Sequence, residues 1–313
     1  MTTDHPAGAE TASTSTVSTD RPAETRAPSG SSVATEPSVA ADPSTGKAPA
    51  SSGSAVSMVF VTTDEGQVLI PAIESLLASG LHRRVEIVVV DNDSNDGARD
   101  EILARWPDTR MLVRHRRFGL PANLNHGIRA ATSPYVMLCN SDLLFHPGSI
   151  DSLAGFLDAN PRAGMAAPRL LSPEGETRPS ARRWYTLPVL IALKGPWATA
   201  AKRLPSVKAS LYHDWDLTAP RAVDWVPCPA TMVRRAAFDD VGLMDERFRL
   251  YFDDVDISLR MHEGGWEVWC VPEAEVVHIE RRSSVQAFSK HWRWHLESLA
   301  KFWWKHKGLA PRP

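Results

Sequence analysis

The residues best suited to chemistry crowd into one stretch, Asp245 to Arg260, where Asp253, Asp254 and Asp256 fall within four residues just after Tyr251 and Phe252. Clustered carboxylates repel one another, so a fold keeps them where a cation, a positive helix end or a reaction makes use of them. A helix starting near Asp253 puts all three in its first turn, where the helix dipole favours negative charge. In a desolvated cleft Asp253 and Asp254 cannot both ionise freely, and one of them is pushed toward the range of a general base. A surface helix with an acidic cap would look the same in this stretch alone, so the rest of the chain has to decide.

A second set of oxygen ligands lies upstream. Asp91 and Asn140-Ser141-Asp142 each follow a short apolar run. A carboxylate in such a place could hold a divalent metal against a diphosphate, because hard cations take oxygen ligands. His278, at the end of another apolar run, is a candidate further ligand. A lone histidine there serves equally well as a core or turn residue.

The elements that must position these groups alternate. Apolar runs at Met58 to Val61, Val85 to Val90, Met111 to Val113 and Tyr135 to Cys139 read as strands. Between them, helical spacing of Leu69, Ile73, Leu76 and Leu77, then Ala98 to Trp106, then Leu120 to Ala131, predicts three helices. Strand alternating with helix, with continuously apolar strands, predicts a parallel sheet covered on both faces. Thr62, Asp91 and Asp142 then sit at strand C-termini, where open α/β sheets bind ligands. Further on, Pro147 to Asn160 reads as a helix and Ala163 to Leu171 as a strand. Met232 to Arg235, Trp266 to Val271 and Ala274 to His278 read as three more strands, and Ser284 to Lys307 as an aromatic, basic helix. Residues 173–222 have weak periodicity and carry Arg182-Arg183-Trp184 among other basic residues, a place for a variable substrate loop or a solvated excursion.

Composition sets limits. Residues 1–54 are rich in Ser, Thr, Ala, Pro and Gly and are expected to be a disordered tail, having too little apolar surface to offset ordering entropy. A formal net charge of -2 argues against nucleic acid as a partner attracted by bulk charge. Cys139, Cys228 and Cys270 are odd in number, far apart and form no C-x-x-C, which fits a reducing cytoplasm. No apolar run approaches the roughly 20 residues of a spanning helix, and no secretory pattern opens the chain, so at most peripheral membrane contact is expected. Gly-x-Gly-x-x-Gly after the first strand, a Walker A lysine motif and Gly-x-Ser-x-Gly are all missing, which weighs against dehydrogenase, P-loop and α/β-hydrolase readings.

The ordered set of segments resembles the family 2 inverting glycosyltransferases, and within them the rhamnosyltransferase-like branch. The likeness is carried by Val61-Thr62, by Val90-Asp91-Asn92-Asp93-Ser94-Asn95-Asp96-Gly97, and by Gly119-Leu120 through Asn123, Asn125 and Gly127. It continues through Asn140-Ser141-Asp142, Val223-Asp224-Trp225-Val226, Gly242 to Phe248, Tyr251 to Leu259, Val271-Pro272-Glu273-Ala274 and His278. Two positions depart from the pattern: Ser141 replaces the usual Pro, and Arg117, expected to be exposed, replaces an Asn.

The resemblance implies a GT-A fold, an α/β architecture with a mostly parallel Rossmann-like central sheet flanked by helices and a C-terminal helical extension. The donor half would span about 55–145, the acceptor half about 146–282, and the aromatic, basic helix 283–313. It implies that Thr62, Asp91, Asn92, Gly119, Asn125, Asn140 and Ser141 serve the donor. Asp142, with His278, would hold a divalent metal, Mg or Mn, on the donor diphosphate. Asp254 would be the general base, with Asp253 beside it and Asp253 or Asp256 next in line. The donor would be a dTDP- or UDP-sugar, with L-rhamnose the expected sugar, and the acceptor a saccharide or a lipid-linked saccharide. A nucleotidyltransferase and a non-catalytic sugar-binding relative are the competing classes. The last helix could pack on the catalytic domain, contribute to a homodimer or rest on a membrane surface.

Overall fold

The computed structural model describes residues 55–194, 198–279 and 290–309. The expected tail, 1–54, and the first residues of the predicted last helix, 284–289, lie outside them. Four strands open the fold: β1 (Val56–Thr62), β2 (Val85–Asn92), β3 (Arg110–Arg114) and β4 (Tyr135–Cys139). They alternate with helices α1 (Gly66–Ala78), α2 (Ala98–Arg105) and α3 (Leu120–Ala130). Val56, Met58, Val59 and Phe60 of β1 are sealed from solvent, as continuous apolar strands covered on both faces should be. On α1, Leu69, Ile73 and Leu76 face the core while Leu77, rotated off that stripe, is exposed.

The chain continues through β5 (Leu143–Phe145), α4 (Ser149–Ala159), β6 (Ala163–Leu171), α5 (Leu187–Lys194), α6 (Ala198–Ala201), α7 (Pro205–Ser210) and β7 (Arg221–Ala222). It closes with β8 (Ala230–Arg234), α8 (Arg235–Val241), α9 (Asp253–Glu263), β9 (Glu267–His278) and α10 (Lys290–His306). The described strands form one sheet in the order β3-β2-β1-β4-β8-β6-β9-β5, with β7 paired to β9. The first four are mutually parallel. β8 runs antiparallel between β4 and β6, and β9 is parallel to β6. The parallel pattern expected from the first half therefore gives way to a mixed sheet in the second.

The insert 173–222, read as weakly periodic, contains α5, α6, α7 and β7, and β5, α8 and β9 also differ from the sequence expectation. β5 is only three residues long and α8 seven, too short for a periodic signal. The two strands predicted on either side of Pro272 are one strand, β9. Its register against β6 jumps between Pro168 and Arg169, so residues 272–274 bulge out of the pairing. A proline that cannot donate to a ladder is accommodated in such a bulge without ending the strand.

The parallel strands set their C-termini along one edge. α3 lies close against that layer: a Cβ on Gly127 would stand 2.3 Å from Cγ1 of Val59. Only glycine permits that approach of helix to sheet.

Candidate active site

Thr62 and Asp91 are register partners at the ends of β1 and β2. Both are buried, and they line a crevice with Ser94, Asp96, Arg99 and Met111. Asp91 Oδ1 accepts the Ser94 N–H at 2.9 Å. Thr62 Oγ1 is buried with no hydrogen-bond partner, a polar group left for a ligand to satisfy. Asn92 points into the neighbouring loop. Its Nδ2 donates to Thr63 Oγ1 at 3.0 Å and its Oδ1 accepts the Phe118 N–H at 2.8 Å. The loops after β1 and β2 are further joined where Asp64 accepts the Asn95 N–H at 2.7 Å and Asp96 accepts the Gly66 N–H at 2.8 Å. Arg117, half exposed as expected, pairs with Asp64.

Gly119 and Asn125 act on the chain itself. Gly119 packs against the backbone of Arg249, where an added Cβ would lie 3.0 Å from the carbonyl oxygen. The Leu120 N–H donates to that same oxygen at 3.0 Å. Asn125 is buried; its Nδ2 donates to Met244 O and Glu246 Oε1, each at 2.8 Å, and its Oδ1 accepts the Met244 N–H at 2.9 Å. The two motif residues thus bind α3 to the segment leading into the acidic helix.

At the end of β4 the chain turns through Asn140-Ser141-Asp142 directly into β5, which sets Leu143 opposite His278 of β9. That pairing brings Asp142 Oδ1 to 3.2 Å from His278 Nε2, with Asn140 Nδ2 3.5 Å from the same nitrogen. Ser141 Oγ donates to Glu65 in the β1–α1 loop, and the Asn140 N–H donates to Pro229 O at 2.7 Å. Among the described residues no third His, Cys, Asp or Glu joins the pair. One carboxylate oxygen and one imidazole nitrogen, both largely buried, are donors that would suit a divalent cation.

Helix α9 begins from strained backbone. Tyr251 and Phe252 both adopt left-handed conformations, with φ of 71° and 61°. Such conformations in bulky residues persist only where packing enforces them. The turn delivers Asp253 and Asp254 into the first turn of the helix. Asp253 is 5% exposed, and burial, then the Asp254 charge, raise its pKa to about 7. Asp254 is more exposed and accepts the Val255 N–H at 2.9 Å. Burial and then Asp254 and Asp253 hold the Cys228 thiol well above its usual range. Cys228 precedes Pro229, whose carbonyl holds Asn140, so the acidic pair and the Asp142 loop flank one short segment.

Asp256 is a correction. It was next in line as a base, yet it is fully buried and held by three side chains: Arg260 at 2.9 Å, Lys305 at 2.6 Å and His306 at 2.7 Å. Burial works to raise its pKa, but His306, Arg260 and Lys305 outweigh this and lower it. It is a structural anchor. Lys305 also pairs with Asp245 at 2.7 Å, and Ser298 Oγ donates to Leu250 O at 2.8 Å. Phe302 packs on Phe252, and His295 lies against both Tyr251 and Phe252. One face of α10 is therefore docked on the acidic helix, while Leu296, Trp303 and Trp304 stay exposed.

Tyr185, in the insert, was not singled out in the sequence. Its ring lies 5.8 Å from Phe252 and 5.3 Å from Trp225. Burial pushes its phenol up to about 12, with Arg182 opposing and Asp254 adding to the shift. It therefore remains protonated beside the turn that opens α9. The aromatic and basic composition of 173–222 was its only trace.

The comparisons bear on this geometry. The family model described as glycosyl transferase family 2 matches residues 57–214. The chain belongs to that family. N-acetylglucosaminyl-diphospho-decaprenol L-rhamnosyltransferase of Mycobacterium tuberculosis is 32% identical to this glycosyltransferase over 266 residues, covering 75% of this chain and 83% of that one. GalNAc-T7, solved with UDP, GalNAc and Mn2+, superposes with a TM-score of 0.61 at 16% identity, covering 80% of this chain and 48% of its own. The mannosyltransferase PcManGT from Pyrobaculum calidifontis, in complex with GDP-Man and Mn2+, gives 0.56 at 19% identity over 82% and 65%. The glycosyltransferase has the GT-A fold expected of it. This chain spans about half the length of GalNAc-T7.

Proposed function

We propose that this glycosyltransferase is a metal-dependent inverting enzyme that moves a sugar, L-rhamnose the first choice, from a nucleoside-diphosphate donor to a hydroxyl of a saccharide or lipid-linked saccharide. The observation that carries the proposal is the placement of Asp142–His278 and Asp253–Asp254 on either side of the Pro229 segment. The donor half, 55–145, offers Thr62 and Asp91 to the nucleotide, with Asn92, Asn140 and Ser141 shaping the loops around it. The acceptor half, 146–282, offers the carboxylate pair. The relative named for L-rhamnose transfer to a diphospho-decaprenol acceptor supports the choice of sugar and acceptor.

Asp254 removes the proton from the acceptor hydroxyl as its oxygen bonds to C1 of the sugar. The C1–oxygen bond to the diphosphate breaks on the opposite face, which inverts the anomeric centre. Asp253, buried with a pKa near neutrality, holds a proton at the lower end of the working range and limits charge accumulation beside the base. Asp142 and His278 would hold a divalent cation, which when bound offsets charge on the departing phosphate. A sugar-binding relative without catalysis would be expected to lack one of these carboxylates.

Thermal shift with a panel of nucleotide sugars, with and without Mn2+ or Mg2+, tests the donor and the metal together. Stabilisation by dTDP-rhamnose that depends on the cation, and that Asp142→Ala reduces by roughly 10-fold in apparent affinity, is the expected result. Stabilisation that ignores both the cation and the substitution removes the metal assignment. No helix among the described residues is long and apolar enough to cross a membrane. We propose instead that the exposed face of α10, with Leu296, Trp303 and Trp304 beside Lys301 and Lys307, rests on an anionic membrane near a lipid-linked acceptor. Sedimentation with anionic vesicles, lost in a Trp303→Ala/Trp304→Ala variant, is expected; no sedimentation of the wild type discards this contact.

A further inference from the structure

Arg182 lies in the insert, paired with the segment that precedes Cys228 and Pro229. Arg182 and Trp225 exchange backbone hydrogen bonds at 2.9 and 3.1 Å. The Trp225 indole N–H donates to Arg183 O at 3.0 Å, and the Trp184 N–H to Asp224 Oδ2 at 2.7 Å. These contacts fix the segment 182–185 against the strand-like run that leads to Cys228 and Pro229. The guanidinium lies over the Trp225 ring, 5.4 Å from its centroid. Trp225 and Phe252 both touch Tyr185, and Phe252 is the residue before Asp253. Arg182 and Asp254 both act on the Tyr185 phenol.

Three other arginines of this half are paired with carboxylates. Arg183 pairs with Asp214 at 3.3 Å, Arg169 with Glu275 at 3.2 Å and Arg260 with Asp256. The Arg182 guanidinium makes no ion pair or hydrogen bond among the described residues, and its Nε is sealed from solvent without a partner. A half-buried cation without a counter-charge is costly to hold. The Trp225 ring offsets part of that cost. A planar guanidinium with its donor fork unused suits an oxyanion with several acceptor oxygens.

We propose that Arg182 recognises a phosphate group of the bound substrate, carried either by the nucleotide donor or by the acceptor. The proposal rests on the reading of the Asp254 side as the site of transfer. It separates Arg182 from Arg183, Arg169 and Arg260, whose guanidinium groups are paired within the chain.

The test uses the full chain with Arg182→Met, which keeps an apolar stem on Trp225, and Arg182→Lys, which keeps the charge without the fork. Calorimetric titration with dTDP and UDP in the presence of Mn2+ reads the donor phosphates. Steady-state transfer to N-acetylglucosamine linked through a diphosphate to a short polyprenol, and to its neutral alkyl glycoside, reads the acceptor phosphates. Arg182→Met is expected to lose roughly 10- to 100-fold in one of the two: nucleotide affinity, or kcat/KM for the diphosphate acceptor with the neutral acceptor unchanged. Which arm falls names the source, and Arg182→Lys should recover part of the loss. A folded Arg182→Met within twofold of wild type in both arms overturns the proposal. If Arg182→Met fails to fold, an Arg182→Lys variant that matches wild type in both arms overturns it. Wild type that neither binds nucleotide nor transfers sugar would bring down the transferase reading, and this proposal with it.

Discussion

The proposed donor edge and the proposed acceptor side hold their carboxylates by different means. At the donor edge, Asp91 and Asp142 sit at strand ends and lean on groups from the neighbouring loops: the Ser94 N–H, and His278 across the β5–β9 pairing. On the acceptor side, Asp253 and Asp254 ride on a helix whose entry is strained and whose anchor, Asp256, is clamped by cations from α9 and α10. One side follows from sheet topology, and the other from charge pairs and ring packing over long sequence separations. The contrast is sharpest within α9. Asp253 and Asp256 are three residues apart, both buried, with pKa values moved in opposite directions.

The largest effect expected separates chemistry from donor binding. Asp254→Asn should lower kcat by about 10²- to 10⁴-fold, the usual range for a positioned general base. Nucleotide affinity should stay within a few-fold, measured by calorimetry beside the kinetics. An equal fall in both would mean that the two sides are not separable. Asp256→Ala should come next. It leaves Arg260, Lys305 and His306 buried around a missing charge, at a cost of about 3–5 kcal/mol in denaturant-induced unfolding. A loss under about 1 kcal/mol would show that α10 is held by its rings alone.

The smallest effect concerns pH. Asp253 rises from 3.8 to about 7 on folding. Between those values the folded chain holds a proton that the unfolded chain has released, so stability falls as pH climbs from about 4 through 7. Asp256 has the opposite sign, its stabilisation being present above the unfolded carboxylate range and lost as pH drops through its lowered value. Asp253→Asn should flatten the decline between pH 4 and 7 by on the order of a few kcal/mol at most, read from unfolding midpoints across that range. An unchanged slope in that variant would locate the titrating group elsewhere.

The donor edge was the more legible half of the sequence for the same reason that it is local. Apolar runs followed by Thr62, Asp91 and Asp142 announce strand ends, and parallel strands put those ends on one edge. The start of α9 at Asp253 was equally readable, because acidic residues accumulate in the first turn of a helix. Asn125 and Gly119 were visible as motif residues, but their contacts with Met244, Glu246 and Arg249 depend on tertiary approach. Tyr185 left almost no trace, and Arg182 was visible only as part of a basic, aromatic insert, since that insert is placed by its pairing with Trp225 rather than by any periodicity of its own. Asp256 misled for a related reason: a carboxylate in a cluster looks available until its distant cations are known.

The Asp256 clamp also bears on how the polypeptide comes together. Lys305 and His306 lie 49 and 50 residues downstream of Asp256. Of its three side-chain partners, Arg260 alone is near in sequence. β1 to β4, by contrast, can pair as soon as residue 139 has emerged. The four parallel strands can therefore assemble early, and the turn that opens α9 is locked only once Lys305 and His306 have been made.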